Sequence, residues 1–127
     1  MAVFRDRSHA GQVLAAKLDR YADRGDVLVL GLPRGGVPVA FEIAKALPAP
    51  LDVYIVRKLG VPGQEELALG AIASGGVRVF NDEVVRAIGV SRDEIERIIA
   101  REQAELERRE QLYRGGRPQP NVTDRVV

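Results

Sequence analysis

The chain has 127 residues, enough for one domain with a single hydrophobic core. Hydrophobic residues make up 46% and charged residues 29%, which argues against disorder, and the formal charge of +1 lacks the basic excess that non-specific nucleic-acid binding needs. With no cysteine and the single histidine His9, disulfides, thiolate metal sites and His-rich metal sites are excluded. No apolar run reaches the ~20 residues of a membrane span, and the N-terminus is charged where a signal peptide is apolar. We therefore expect a cytoplasmic protein.

The first half of the chain predicts two helices and two strands. Ser8 is the expected N-cap of a helix over about residues 9–24, and the continuous apolar run 27–31 is typical of a strand covered on both faces. A second helix is predicted over residues 37–47 and a second strand over residues 51–56. Because crossover connections are right-handed, the two strands should run parallel as a βαβ unit.

The second half predicts a hairpin and two helices. Residues 70–73 and 77–80 form the expected hairpin, and Asn81 or Asp82 caps a short helix. Ser91 opens a capping box for the longest helix, which extends to about Tyr113 and carries an apolar stripe. Packing against the core explains that stripe, and a dimer contact is the alternative.

The strongest candidate for a ligand site is the loop from Gly31 to Val37, between a buried strand and a helix N-terminus. Gly35 and Gly36 lack a Cβ, so a phosphate oxygen could approach their amides closely, and Arg34 adds a guanidinium fork. The spacing fits neither a Walker A loop nor a dinucleotide fingerprint. A tight turn whose glycines only relieve strain is an equally good interpretation.

Arg57 and Lys58 follow the predicted second strand. If the βαβ unit forms, they lie at the same sheet edge as Arg34, and the three cations would favour a polyphosphate. The alternative is a solvated basic pair beside a strand.

The segment over residues 60–67, rich in glycine, is predicted to be a mobile lid beside the site. Within it, Glu65 or Glu66 could accept a proton or bind a substrate. A solvated loop is the alternative for both glutamates.

Two segments resemble type I phosphoribosyltransferases: residues 32–40 (Leu-Pro-Arg-Gly-Gly-Val-Pro-Val-Ala) and residues 52–60 (Asp-Val-Tyr-Ile-Val-Arg-Lys-Leu-Gly). The chain is most similar to bacterial phosphoribosyltransferase-like proteins of unassigned substrate, from Phe4 to Val127. The resemblance implies a parallel-sheet, Rossmann-like α/β fold, incomplete at the C-terminus, with a small hairpin or flexible-loop insertion and a long helix. Residues 1–127 would form one partial N-terminal domain.

The resemblance also implies a glycosyltransferase of nucleotide metabolism. The 5-phosphoribosyl group of phosphoribosyl pyrophosphate (PRPP) would pass to a nitrogenous, nucleobase-like acceptor, with release of pyrophosphate. Mg²⁺ would bind through PRPP and not through protein side chains of this chain. Arg34 and Lys58 would be the catalytic residues, and the Arg34 loop often contains a non-proline cis peptide in this family. The implied pyrophosphate contacts are Arg34, Gly35, Gly36, Val37, Arg57 and Lys58.

One family motif is missing: an apolar strand followed by two acidic residues and a Gly/Thr-rich loop that holds the ribose 5-phosphate. Residues 125–127 resemble only its start. We therefore expect a truncated piece of a longer enzyme, inactive by itself and compatible with a homodimer. The alternatives are a non-catalytic module that binds PRPP or another phosphorylated metabolite, and a structural dimerisation domain.

Overall fold

The computed structural model describes residues 3–127, and the chain divides into two compact units. The first unit contains Met1–Tyr54 and Pro120–Val127, and the second contains Ile55–Gln119. The architecture is mixed α/β, with a two-stranded parallel sheet in the first unit and a three-stranded antiparallel sheet in the second. The expectation of one partial domain over the whole chain stays a prediction.

The first unit contains the predicted βαβ connection. Its elements are α1 (Arg7–Lys17), a 3₁₀ turn (Asp19–Tyr21), β1 (Val29–Gly31), α2 (Gly36–Ala46) and β2 (Leu51–Val53). The two strands pair in parallel, with Val29 opposite Leu51, which confirms the predicted arrangement. Just before β1, the Leu28 N–H donates to the carbonyl of Val126 at 2.8 Å, and Val126 forms an isolated parallel bridge with Val27, in the segment where the sequence predicts the start of a strand.

Two local details of the first unit differ from the expectation. The N-cap of α1 is Asp6 and not Ser8, because Asp6 Oδ1 accepts the His9 backbone N–H at 2.7 Å. The helix ends at Lys17, where the Leu18 N–H turns back to the carbonyl of Ala15 at 3.0 Å and tightens the last turn.

The helices α1 and α2 pack side by side and run in the same direction. Three residue pairs lie against each other with the same spacing along both helices: Arg7 with Gly35, Gly11 with Val39, and Ala15 with Ile43. The closest approach is at Gly11, where a Cβ would stand 2.7 Å from the carbonyl oxygen of Val39 and 2.8 Å from the Cβ of Glu42. Only glycine allows the two backbones to come this near, so Gly11 sets the distance between the helices.

The substitution Gly11→Ala is expected to destabilise the protein. The added methyl group would meet a backbone oxygen that cannot turn aside, which costs more than the ~1 kcal/mol that alanine gains in helix propensity. We expect the free energy of unfolding to fall by about 1–3 kcal/mol in urea titrations. The matched control is Gly25→Ala, since no atom lies within 4 Å of a Cβ at that position. Equal stability of the two variants would show that α1 does not depend on this contact.

The second unit is a three-stranded sheet with two helices. Its elements are β3 (Val56–Val61), β4 (Gln64–Ala73), β5 (Val77–Phe80), α3 (Asp82–Ile88) and α4 (Arg92–Arg114). The predicted hairpin is formed by β4 and β5, and both predicted helices are present, capped by Asn81 and Ser91.

The segment predicted to be a loop is part of a hairpin, and its role as a lid stays a prediction. Residues 60–67 are the ends and turn of a β-hairpin formed by β3 and β4, which reverses at Pro62 and Gly63. Gly63 takes a positive φ of 80° in this turn, and the strand register shifts at Gly60, which explains both glycines without a hinge.

The apolar stripe of α4 packs against β3 and β4. Ile98, Ile99 and Leu106 are buried, as expected for a helix packed on a core. On its solvent side, hydrogen bonds from Arg108 and Arg109 lower the pKa of Glu105 to about 2. Within residues 3–127, no helix is both long and apolar enough to cross a membrane.

Candidate functional site

The Arg34 loop, residues 32–35, joins the end of β1 to the start of α2. The Gly36 N–H donates to the carbonyl of Leu32 at 2.9 Å, which closes the turn. The Val37 N–H donates to the carbonyl of Arg34 at 3.2 Å. The peptide bond between Pro33 and Arg34 is cis, as the family resemblance implies for this loop.

These bonds change which amides can receive a ligand. The N–H groups of Gly36 and Val37 are engaged inside the loop, whereas the Gly35 N–H has no partner among the described residues. Gly35 is therefore the better amide donor for an anion, and the contacts predicted for Gly36 and Val37 would have to share or replace bonds that already exist.

The three glycines of this segment have different reasons for being glycine. A Cβ at Gly31 would stand 2.9 Å from the Cβ of Ala40, so Gly31 allows β1 to meet α2. A Cβ at Gly35 would stand 2.7 Å from Nε of Arg7. At Gly36 the nearest atom would be 3.6 Å away, which is ordinary contact. Relief of crowding thus explains Gly31. At Gly35 the atoms in the way are the end of the exposed Arg7 side chain, which can move, and Gly36 is unexplained by packing.

Arg34 is an exposed cation at the N-terminal end of α2. Its guanidinium forms no hydrogen bond or ion pair with any residue in the described range 3–127. The first turn of α2 contains no acidic residue that would offset the positive end of the helix dipole. An unpaired guanidinium, an open amide and a helix N-terminus together suit a phosphate group.

Arg57 and Lys58 do not follow β2 as predicted. That strand ends at Val53, and both residues lie within β3, in the antiparallel sheet of the second unit. Since Arg34 belongs to the first unit, the predicted convergence of the three cations stays a prediction.

Arg57 has a structural partner. Its Nη2 lies 2.7 Å and its Nε 2.9 Å from Oε2 of Glu102 on α4, and both side chains are partly buried, at 28% and 17% exposure. This is a strand-to-helix ion pair, which weakens the case for Arg57 as a ligand contact.

Lys58 is exposed and lines a hollow of about 370 Å³ in the second unit. Glu65, one of the two glutamates predicted to have a chemical role, lines the same hollow, together with Arg101 and Glu102. Because both signs of charge are present, this hollow is less suited to an anion than the Arg34 loop.

A larger cavity of about 540 Å³ lies beside β1 in the first unit. It is lined by aliphatic side chains and by Tyr21 and Tyr54, with no charged residue. Leu32 is the one residue of the Arg34 loop that it touches. Such a lining does not suit a diphosphate.

Sequence reasoning missed Arg7, whose guanidinium lies against Gly35. The available signal was a basic residue in the first turn of a helix, where acidic residues are normally preferred. That signal is weak alone and becomes visible only when the packing of α1 on α2 is known.

The ion pair between Arg57 and Glu102 should contribute to stability. A double-mutant cycle with Arg57→Ala and Glu102→Ala is expected to give a coupling energy of about 1 kcal/mol in urea unfolding, since both groups are partly desolvated. The control cycle uses Arg78 and Glu96, which approach only to 4.0 Å at about half exposure and should couple by much less. Equal couplings in the two cycles would contradict the structural role of Arg57.

The chain is similar in sequence and in structure to known proteins. No family model matches the chain. It is 51% identical over all of its 127 residues to proteins of two Mycobacterium tuberculosis strains, CDC 1551 and H37Rv, each named "Putative phosphoribosyl transferase". The chain spans 28% of the length of these relatives. It is also similar to the crystal structure of TT1426 from Thermus thermophilus, with 44% identity and a TM-score of 0.75 over 94% of this chain and 56% of that one.

Proposed function

The chain is a phosphoribosyltransferase-like protein, and on that premise we propose that its Arg34 loop binds the pyrophosphate group of PRPP. The chain would be part of a cytoplasmic enzyme of the glycosyltransferase class. That enzyme would transfer the 5-phosphoribosyl group of PRPP to a nitrogenous acceptor. The proposed fold is the Rossmann-like type I fold, supported by the parallel pairing of β1 with β2.

One observation carries the proposal: Arg34 and the Gly35 amide are both without partners, among the described residues, at the same helix N-terminus. In parallel α/β sheets, ligands bind beyond the carboxyl ends of the strands, and the Arg34 loop directly follows such an end. The loop offers hydrogen-bond donors and positive charge, which suit phosphate oxygens. Lys58 and Arg57 stay proposed as further pyrophosphate contacts.

The reaction breaks the bond between C1 of the ribose and a pyrophosphate oxygen. Negative charge grows on the departing pyrophosphate, so donors already fixed around it stabilise the transition state more than the ground state. Arg34 and the Gly35 N–H would hold the phosphate oxygens as the bond breaks. Since the loop supplies donors and no anionic oxygen, it suits Mg²⁺ only when the ion is bound through PRPP, where it would neutralise part of the charge on the leaving group.

The substitution Arg34→Ala tests this site. We expect titration calorimetry to show clearly weaker binding of PRPP and of inorganic pyrophosphate in magnesium buffer, because a charge-assisted contact is lost. In an active enzyme, turnover should fall by about a hundredfold. Arg86→Ala is the control, since it removes one exposed positive charge from α3 in the second unit. Unchanged binding in a folded Arg34→Ala variant would remove Arg34 from the site.

Titration of the longer protein that the sequence predicts distinguishes the transferase from a non-catalytic binding module, because the chain alone is expected to be inactive. PRPP binding accompanied by pyrophosphate release in the presence of a panel of nucleobases supports the transferase. PRPP binding without release by any acceptor supports the binding module, and no binding of either phosphate compound contradicts both.

A further inference from the structure

We propose that Arg7 is a second guanidinium of the pyrophosphate site formed by the Arg34 loop. This inference rests on the proposed function and extends it to a residue on a different helix. The inference rests on one observation: Arg7, although distant in sequence, lies against Gly35, the loop residue whose backbone N–H has no partner among the described residues.

Arg7 is an exposed residue whose guanidinium lies directly against Gly35. A Cβ at Gly35 would stand 2.7 Å from Nε, 3.1 Å from Nη2 and 3.3 Å from Cζ of Arg7. The guanidinium therefore occupies the space that any side chain at position 35 would fill. The glycine that leaves its own amide open thus also lets a second cation reach the loop.

No structural partner explains this position. Within residues 3–127, the Arg7 guanidinium forms no hydrogen bond and no ion pair. Arg57 shows the opposite case, because a carboxylate at 2.7 Å satisfies it. An exposed guanidinium without an internal anion is accessible to an external one.

The charge of Arg7 also works against the helix that carries it. Arg7 is the first residue of α1, whose first turn contains no acidic residue, so its positive charge meets the positive end of the helix dipole, which the N-cap carboxylate of Asp6 offsets in part. The first turns of α3 and α4 have the favourable arrangement, with Asp82 and Glu83 in one and Asp93 and Glu94 in the other. The arrangement is thus present in α3 and α4 and absent from α1 and α2, the two helices whose N-terminal ends carry the proposed phosphate-binding groups.

A diphosphate matches this arrangement in charge. Because α1 and α2 run in the same direction, their N-terminal ends lie on the same side of the pair, with Arg7 at one and Arg34 beside the other. Two guanidiniums repel each other in water, and a ligand with several negative oxygens removes that repulsion. Arg7 would act as a binding residue that holds the pyrophosphate, together with Arg34, as it leaves.

The experiment measures binding of inorganic pyrophosphate by calorimetry in magnesium buffer for the wild type and three variants. Arg7→Ala should weaken binding about tenfold, the usual effect of losing a charge-assisted hydrogen bond. Arg7→Lys keeps the charge but loses the fork, so its binding should lie between those of the wild type and the alanine variant. Lys17→Ala is the matched control, as it removes one positive charge from the opposite end of α1 and should bind like the wild type.

Thermal melting separates binding from folding. Because the charge of Arg7 opposes the helix dipole, the Arg7→Ala variant should have a melting temperature no lower than that of the wild type. If the role of Arg7 were only structural, the substitution would lower the melting temperature without a specific loss of pyrophosphate binding. If the alanine variant fails to fold, Arg7→Lys serves instead, because it keeps the charge and loses the guanidinium fork.

The outcomes distinguish this inference from the proposed function. Wild-type binding of pyrophosphate that is weakened by Arg34→Ala but not by Arg7→Ala would overturn the role of Arg7 alone. Absence of pyrophosphate binding in the wild type would overturn both. Weaker binding in both arginine variants, with Lys17→Ala unchanged, supports both.

Discussion

The close contact between α1 and α2 at Gly11 is the constraint on which the candidate site depends. A glycine at this point lets the two helices approach so nearly that a single added carbon would meet a backbone oxygen at 2.7 Å. Since the helices run in the same direction, this contact also sets their register. That register brings the first residue of α1 to the glycine that precedes α2, and so adds a second cation to the loop between β1 and α2.

Cations in this protein differ in whether the fold satisfies them. Arg57 is held by Glu102 and Arg114 by Glu110, at 2.7 and 2.8 Å, and these pairs stabilise the second unit. Arg7 and Arg34 have no such anion among the described residues. Both guanidiniums are exposed, so neither carries the cost of a buried unpaired charge, and both are accessible to an anionic ligand. Their place at the N-terminal ends of two adjacent helices is more informative about function than the abundance of arginine.

Much of the fold could be predicted from the sequence because its signals are local. Ser91 and Asn81 cap their helices as expected, and the hairpin across residues 74–76 follows from its glycines. The split of the predicted strand 51–56 could not be predicted, because it depends on distant partners. The Tyr54 N–H donates to the carbonyl of Gly31, whereas the Ile55 N–H donates to Ser74 Oγ, so neighbouring residues belong to different sheets.

The candidate site was predictable in part for the same reason. The Arg34 loop can be found from its glycines and its place between strand and helix, which are adjacent in sequence. Because of the strand split, Arg57 and Lys58 lie within β3 and not at the end of the predicted second strand, and in β3 Arg57 has an anionic partner that no spacing pattern could reveal. Arg7 was missed for a related reason: its position beside the Arg34 loop depends on the packing of α1 against α2, which the local sequence does not reveal. A residue's chemistry can thus be inferred from local sequence only when its neighbours in space are also its neighbours in the chain.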